Sequence, residues 1–294
     1  MQLFPGLEHQ PFVVGDGPAT TVAVHGFPGT PAEVRPMAAA LAAMGWRVRA
    51  PLLPGFGPEW STLEEQRWQT WRDTVARELE HASADAAGAP VMLLGFSMGA
   101  ALALAALHDS DADVDGLVLI APFTRLPDPR AALLPLVKRF IPTFRPYQHA
   151  DLDDARVRRD VQTRLGTLDL DDPAIRARLR EEVTVPTAAA DEARRVGLHA
   201  LRIAPRLRAR PTLVVQGLQD TTVLPRDTIA LLRRLPGRPL RLFLEDADHR
   251  IVLPDAPGHR EMLRALQRFG LERLGLLNTN QGAHHSPTPT ARPR

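Results

Sequence analysis

The sequence predicts an α/β protein, a mostly parallel, doubly wound sheet with one helical cap insertion, and three observations predict it. Short aliphatic or β-branched runs alternate with longer amphipathic stretches along most of the chain. Strands that alternate with helices imply right-handed crossovers, and so parallel pairing with helices on both faces. The alternation lapses once, between Phe123 and Arg210, and resumes at Thr212. The hydrophobic fraction, 44% of 294 residues, supplies a sizeable core and excludes disordered, collagen-like and fibrous classes.

Taken in order, Thr20 to Val24 reads as a strand and Pro31 to Met44 as a helix with proline near its start. Arg47 to Pro51 reads as a strand, Leu63 to Ser83 as a long helix, and Val91 to Leu94 as a strand. Met98 to His108 is the next helix and Gly116 to Ile120 the next strand. After Pro211 come strand Thr212 to Gln216, helix Pro225 to Arg234, strand Leu240 to Leu244 and helix Gly258 to Leu274. The stretch 123–210 holds several prolines and short Arg-rich helical patches, Ala174 to Glu182 and Asp191 to Leu201. It is expected to be a cap inserted into a core of 1–122 and 211–277. The tail 278–294 has almost no apolar content and is expected to be disordered.

Composition narrows the chemistry. There is no Cys, which removes disulfides, thiol catalysis and Cys-ligated metal sites. The net charge is only +2 although the sequence pI is about 9.8. Lys138 is the single lysine and Tyr147 the single tyrosine, so almost nothing titrates until very high pH while Arg stays protonated. The high pI is therefore no argument for a nucleic-acid partner, and none is expected. The first residues lack a basic start and an apolar stretch of roughly 7–15 residues, so no secretion signal is read. No apolar run reaches the ~18–20 residues of a membrane span. A soluble cytoplasmic protein is expected, without integral membrane association.

The sharpest motif is Gly95-Phe96-Ser97-Met98-Gly99, between an apolar strand and an Ala-rich helix. A serine in so tight a strand-to-helix turn is a nucleophile elbow, with glycines where the backbone is cramped. A serine hydroxyl needs a base, and the base needs an orienting group. In such a fold these follow in the order serine, acid, histidine. Asp220 lies just past the strand Thr212 to Gln216, and His249 just past Leu240 to Leu244. Both strand ends open on the face where α/β sheets bind ligands.

Each partner has rivals. Asp227 falls in the first turn of a helix, where it complements the dipole. Asp246 and Asp248 adjoin His249, and Asp248 is read as shaping the turn. His259 is expected on the surface of the last helix, and His284 and His285 in the tail. An acyl-transfer site also needs donors for a developing oxyanion. The Met98 amide is one by position, and the Phe27 amide in the loop His25-Gly26-Phe27-Pro28-Gly29-Thr30 is the natural second. The ring of His25 is expected to brace that loop.

With these residues in place, the core from Thr20 to Leu274 resembles the α/β-hydrolase superfamily. The runs His25 to Pro31, Ala50-Pro51-Leu52-Leu53-Pro54-Gly55-Phe56-Gly57 and Gly95 to Gly99 resemble bacterial carboxylesterases and monoacylglycerol-lipase-like serine hydrolases. The resemblance implies Ser97 as nucleophile, His249 as general base, Asp220 as orienting carboxylate, and the Phe27 and Met98 amides as oxyanion hole. Three departures concern pocket shape: Ala100 where such enzymes often have glycine, Phe96 where they often have histidine, and Gly55-Phe56-Gly57 where Gly-His-Gly is commoner.

The reaction expected is hydrolysis of small to medium acyl esters or monoacylglycerols through an acyl-enzyme, with no metal or organic cofactor. A thioesterase, acyltransferase, carbon–carbon hydrolase or aminopeptidase shares the same triad, and a non-catalytic binding protein shares the fold. Leu133, Leu134, Leu136, Val137, Phe140, Ile141 and Phe144 either line an acyl pocket or pack the cap onto the core. The stretch 123–210 carries 18 basic and 12 acidic residues against 18 and 22 elsewhere. That surplus either fills solvated helix faces and pairs across to the core, or draws in anionic substrates or leans on acidic surfaces.

Overall fold

The computed structural model describes Phe4 and residues 6–110, 113–165 and 168–273. Its strands are β1 (Phe12–Val14), β2 (Thr20–Val24), β3 (Arg47–Ala50), β4 (Val91–Phe96), β5 (Gly116–Ile120), β6 (Thr143–Phe144), β7 (Val185–Pro186), β8 (Thr212–Gly217) and β9 (Leu240–Leu244). Its helices are α1 (Arg35–Ala42), α2 (Trp68–Ala86), α3 (Met98–Asp109), α4 (Leu134–Val137), α5 (Ala155–Leu165), α6 (Pro173–Glu182), α7 (Thr187–Ile203), α8 (Pro225–Leu232) and α9 (His259–Arg273).

Seven strands form one sheet in the order β1-β3-β2-β4-β5-β8-β9. All neighbours are parallel except the edge pair β1 and β3, where Phe12 lies opposite Ala50. Strands β2, β4, β5 and β8 are buried along their whole length, as interior strands covered on both faces must be. One apolar layer joins the sheet to α2, α3 and α7, and a second joins it to α1 and α9. Each fully buried leucine there contributes roughly 1.5–3 kcal/mol.

Helix α3 is apolar all round, with ten consecutive residues from Met98 to Leu107 buried. A helix of that kind must be enclosed on every side. Its alanines let α7 approach closely, and α7 brings Ala189, Ala193, Val196, Ala200 and Ile203 into the same core. The stretch 123–210 therefore divides by its packing. From Tyr147 to Val183 it holds a separate small cluster with Leu152, Val161, Leu170 and Leu179, whereas α7 belongs to the layers around the sheet.

All six strands read from the sequence are present. The short β1 escapes such reading because three residues carry too little periodicity, and so do β6 and β7, which pair with each other outside the main sheet. The expected tail lies outside the described residues. Part of the insertion's arginine pairs within it, Arg158 with Asp171 at 3.0 Å, Arg178 with Glu182 at 2.8 Å and Arg194 with Asp191 at 2.6 Å, and part pairs across to the core, Arg125 with Asp227 at 3.1 Å and Arg210 with Asp113 at 2.8 Å. No helix is long and apolar enough to cross a membrane among the described residues.

Where α7 crosses the start of the insertion, a side chain at Gly197 would meet the Thr124 carbonyl oxygen at 2.8 Å and the Phe123 ring at 2.9 Å. Gly197→Val is expected to destabilise the fold by about 1–3 kcal/mol through overpacking. Urea unfolding of the two proteins measures it.

Candidate active site

Ser97 joins β4 to α3 with φ 54° and ψ −120°, in the left-handed half of backbone space that non-glycine residues rarely enter. What holds it there is crowding on both sides. A side chain at Gly95 would reach the Ala100 Cα at 2.5 Å, and one at Gly99 would strike the carbonyl oxygens of Val24 and His25. The Ser97 amide donates to the Ile120 carbonyl at 2.9 Å, and the Phe123 amide donates to the Ser97 carbonyl at 3.2 Å. The turn is thereby fastened to the end of β5.

Parallel strands β8 and β9 end side by side, and the loops after them carry Asp220 and His249. The Asp220 carboxylate is buried and fully engaged. One oxygen accepts the Thr222 and Val223 amides, each at 2.8 Å, and the other faces His249 Nδ1 at 2.8 Å. A carboxylate can only accept, so Nδ1 carries the imidazole proton and Nε2 is left as an acceptor. Ser97 Oγ lies 3.1 Å from that Nε2. The three side chains read from widely separated parts of the sequence thus form one continuous hydrogen-bonded chain.

Two further residues support it: Gln216, which the sequence did not single out, and Phe96, which it marked only as bearing on pocket shape. Gln216, at 0% exposure, donates from Nε2 to the Gly217 and Val223 carbonyls and toward Asp220 at 3.4 Å, while Thr228 Oγ1 donates to its Oε1 at 2.6 Å. The Phe96 ring packs on the His249 ring with centroids 5.1 Å apart. The rivals lie elsewhere. Asp227 is buried and paired with Arg125 at 3.1 Å, a role beyond the expected dipole contact. Asp248 accepts the Arg250 amide at 2.9 Å and so shapes its turn. His259 is buried rather than on the surface, because its Nδ1 bonds the Ile251 carbonyl at 2.9 Å.

The loop His25–Thr30 lies against the elbow, and a side chain at Gly26 would come within 3.0 Å of Ser97 Cβ. His25 is fully buried. Its Nε2 accepts the Leu53 amide at 3.2 Å, which leaves the Nδ1 proton to bond the Gly26 carbonyl at 2.9 Å. Burial pushes its pKa down to about 4, with the Gly26 carbonyl opposing, so the ring is neutral at neutral pH and braces the loop as expected. Glu33 Oε2 accepts the Gly26 amide at 3.0 Å and pins the loop from below, a contact the sequence did not announce. Among the described residues no backbone hydrogen bond outside the helices and strands is made by the Phe27 or the Met98 amide.

Residues 16–253 match the model of the family described as serine aminopeptidase S33, Hydrolase_4. The chain belongs to the serine aminopeptidase S33 family. A thermostable monoacylglycerol lipase of Bacillus sp. strain H-257 is 33% identical over 111 residues, 38% of this chain and 43% of that enzyme. The match thus spans less than half the length of that relative. Among solved structures, one from work on the metagenome-derived lipolytic enzymes LipS and LipT superposes with a TM-score of 0.72 at 19% identity, covering 90% of this chain and 98% of that one. The monoacylglycerol lipase of Paleococcus ferrophilus gives 0.67 at 17% identity over 93% and 100%. These likenesses show the α/β-hydrolase fold.

In this S33 protein a cavity of about 200 Å³ opens beside His249, walled by Phe27, Phe96, Val252, Leu253 and Phe4. The apolar segment of the insertion does not line it. Leu133, Leu136, Phe140, Ile141 and Phe144 are 41–78% exposed, whereas Leu134 and Val137 are half-buried on α4, which packs against α7. One cluster of metal-ligand type exists among the described residues, His108, Asp109 and His199 at the far end of α3. Its carboxylate is already engaged by both imidazoles and by Arg72 at 2.9 Å, and Arg202 meets His199 at 2.9 Å. Cations thus already occupy the places a metal would take.

The buried His25 predicts a pH dependence of stability. Its folded pKa of about 4 lies below the 6.5 of an unfolded histidine, so the unfolded chain binds the proton first as pH falls. The stability tied to His25 is complete above pH 6.5 and is lost as pH falls toward 4, on the order of 3 kcal/mol in all. Denaturant unfolding across that window is expected to fall more steeply for wild type than for His25→Gln.

Proposed function

We propose that the protein is a serine ester hydrolase that cleaves small to medium acyl esters or monoacylglycerols through an acyl-enzyme. The observation that carries this reading is the unbroken chain from Asp220 through His249 to Ser97, at 2.8 and 3.1 Å. Ser97 Oγ attacks the ester carbonyl carbon while His249 Nε2 takes its proton. Asp220 keeps the imidazole in the required tautomer and stabilises the imidazolium that forms. The Phe27 and Met98 amides receive the developing oxyanion, each stabilising the transition state by roughly 3–4 kcal/mol. His249 then protonates the departing alcohol, and water repeats the sequence to free the acid.

Ester rather than amide chemistry is favoured by the apolar cavity beside His249 and by the partial relationship to a monoacylglycerol lipase. A panel of p-nitrophenyl esters, monoacylglycerols and aminoacyl p-nitroanilides tests the reading. Ester cleavage is expected to dominate, and Ser97→Ala is expected to lower kcat by roughly four to six orders of magnitude. A fluorophosphonate is expected to label Ser97 alone. Preference for the anilides, or full activity in Ser97→Ala, would overturn the proposal.

Glu33 has a distinct expected role as a positioning residue for the loop that offers the Phe27 amide. Removing the acceptor of the Gly26 amide in Glu33→Ala is expected to lower kcat about tenfold, the equivalent of one lost charge-assisted hydrogen bond. Glu33→Gln retains an acceptor oxygen and is expected to restore most of that loss.

A further inference from the structure

The wall of the cavity comes in part from outside the segment that matches the family. Phe4 precedes residues 16–253 by twelve positions, yet its ring is 4% exposed and faces the same cavity as His249 and Phe27. Two rings hold it. The His9 ring lies edge-on at 5.1 Å and the Trp60 ring tilted at 5.4 Å. Each of those is anchored in turn. His9 is buried, with Nδ1 2.8 Å from Thr30 Oγ1, at the end of the loop that carries Phe27. Trp60 donates its indole N–H to the Thr184 carbonyl at 3.1 Å, next to β7. The approach to the sheet is also tied down, since the Arg35 guanidinium lies 3.9 Å over the Phe12 ring and reaches the Glu8 carbonyl at 3.4 Å.

A cavity of about 200 Å³ is small beside the roughly 300–1,000 Å³ of typical ligand sites. Phe4, Phe27, Phe96, Val252 and Leu253 form an apolar side of the cavity suited to hydrocarbon, beside the polar Thr30, Glu33, Thr222 and Arg250. We propose that Phe4 is a specificity-determining residue, the wall that limits the length of acyl chain the enzyme accepts. The inference rests on the reading of Ser97 as an ester-cleaving nucleophile. The ring closes the cavity by its bulk, and it is held between His9 and Trp60, which belong to two separately anchored 3-10 helical turns. Removing the ring lengthens the cavity, and enlarging it shortens the cavity.

The test is the ratio of kcat/KM for p-nitrophenyl octanoate over butyrate in wild type, Phe4→Ala and Phe4→Trp, each run beside Ser97→Ala. In Phe4→Ala the ratio is expected to rise by about tenfold or more, the discrimination that added methylenes can give in an apolar pocket. In Phe4→Trp, which keeps an aromatic ring between His9 and Trp60 and so guards against mere loosening of the arm, the ratio is expected to fall. Wild-type ratios in both variants, or a shift of the same sign in both, would overturn the role of Phe4 while leaving Ser97-dependent ester cleavage standing. A wild type inert on every ester of the series would instead overturn the ester-hydrolase reading and this inference with it.

Discussion

The backbone carbonyls of Val24 and His25 occupy the space that any side chain at Gly99 would need. That close approach of α3 to the end of β2 is the constraint on which the candidate site depends. It lets the first turn of α3 point its amides at Ser97, and it sets the loop His25–Thr30 beside the same serine. The left-handed backbone at Ser97 is a strained conformation that costs of order 1–3 kcal/mol in isolation. It persists because the Ile120 and Phe123 bonds and the buried surface of α3 over-determine it.

From that point the polar groups form a hierarchy. Ser97 meets His249, His249 meets Asp220, and Asp220 is fixed by two loop amides that leave its second oxygen free for the ring. Gln216 then ties the loop after β8 to α8 through Thr228. Every member of this chain is satisfied, which matters because a half-satisfied buried network is worse than an apolar core. Opposite it, His25 and Glu33 hold the other wall in the same manner, through the backbone rather than through side-chain packing.

Much of this was legible in the sequence, for a physical reason. A buried parallel strand must be an apolar run, and a cramped elbow must carry glycine two residues either side of its serine, so β4, Ser97 and α3 declare themselves. The order of the elements then locates Asp220 and His249. What was not legible depends on tertiary partners. Glu33 and Gln216 are ordinary polar residues whose roles exist only once a distant amide faces them. His259 reads as a surface residue until the Ile251 carbonyl is brought to its ring. The apolar segment 133–144 shows the converse. Hydrophobic composition states a preference for burial, but five of the seven large apolar side chains there stay exposed while α4 packs against α7, and the cavity takes part of its wall from Phe4 instead.

A pI of about 9.8 on a net charge of +2 reflects a chain with one lysine and one tyrosine, whose basic residues are otherwise arginine. The stretch 123–210 holds 18 basic and 12 acidic residues, so its own carboxylates at Asp171, Glu182 and Asp191 pair only part of its arginine, and Arg125 and Arg210 reach Asp227 and Asp113 in the rest of the chain. Pairs on exposed helix faces contribute little stability each, at most about 1 kcal/mol. Their larger consequence is cancellation. Opposite charges about 3 Å apart act as a dipole, and a dipole's field is quenched within the roughly 8 Å Debye length of physiological salt. Two charged side chains line the cavity itself. These are Glu33, committed to the Gly26 amide, and Arg250, committed to Asp248 at 2.7 Å. With both engaged, the remaining lining is largely apolar, so what its walls present is shape and hydrocarbon rather than charge.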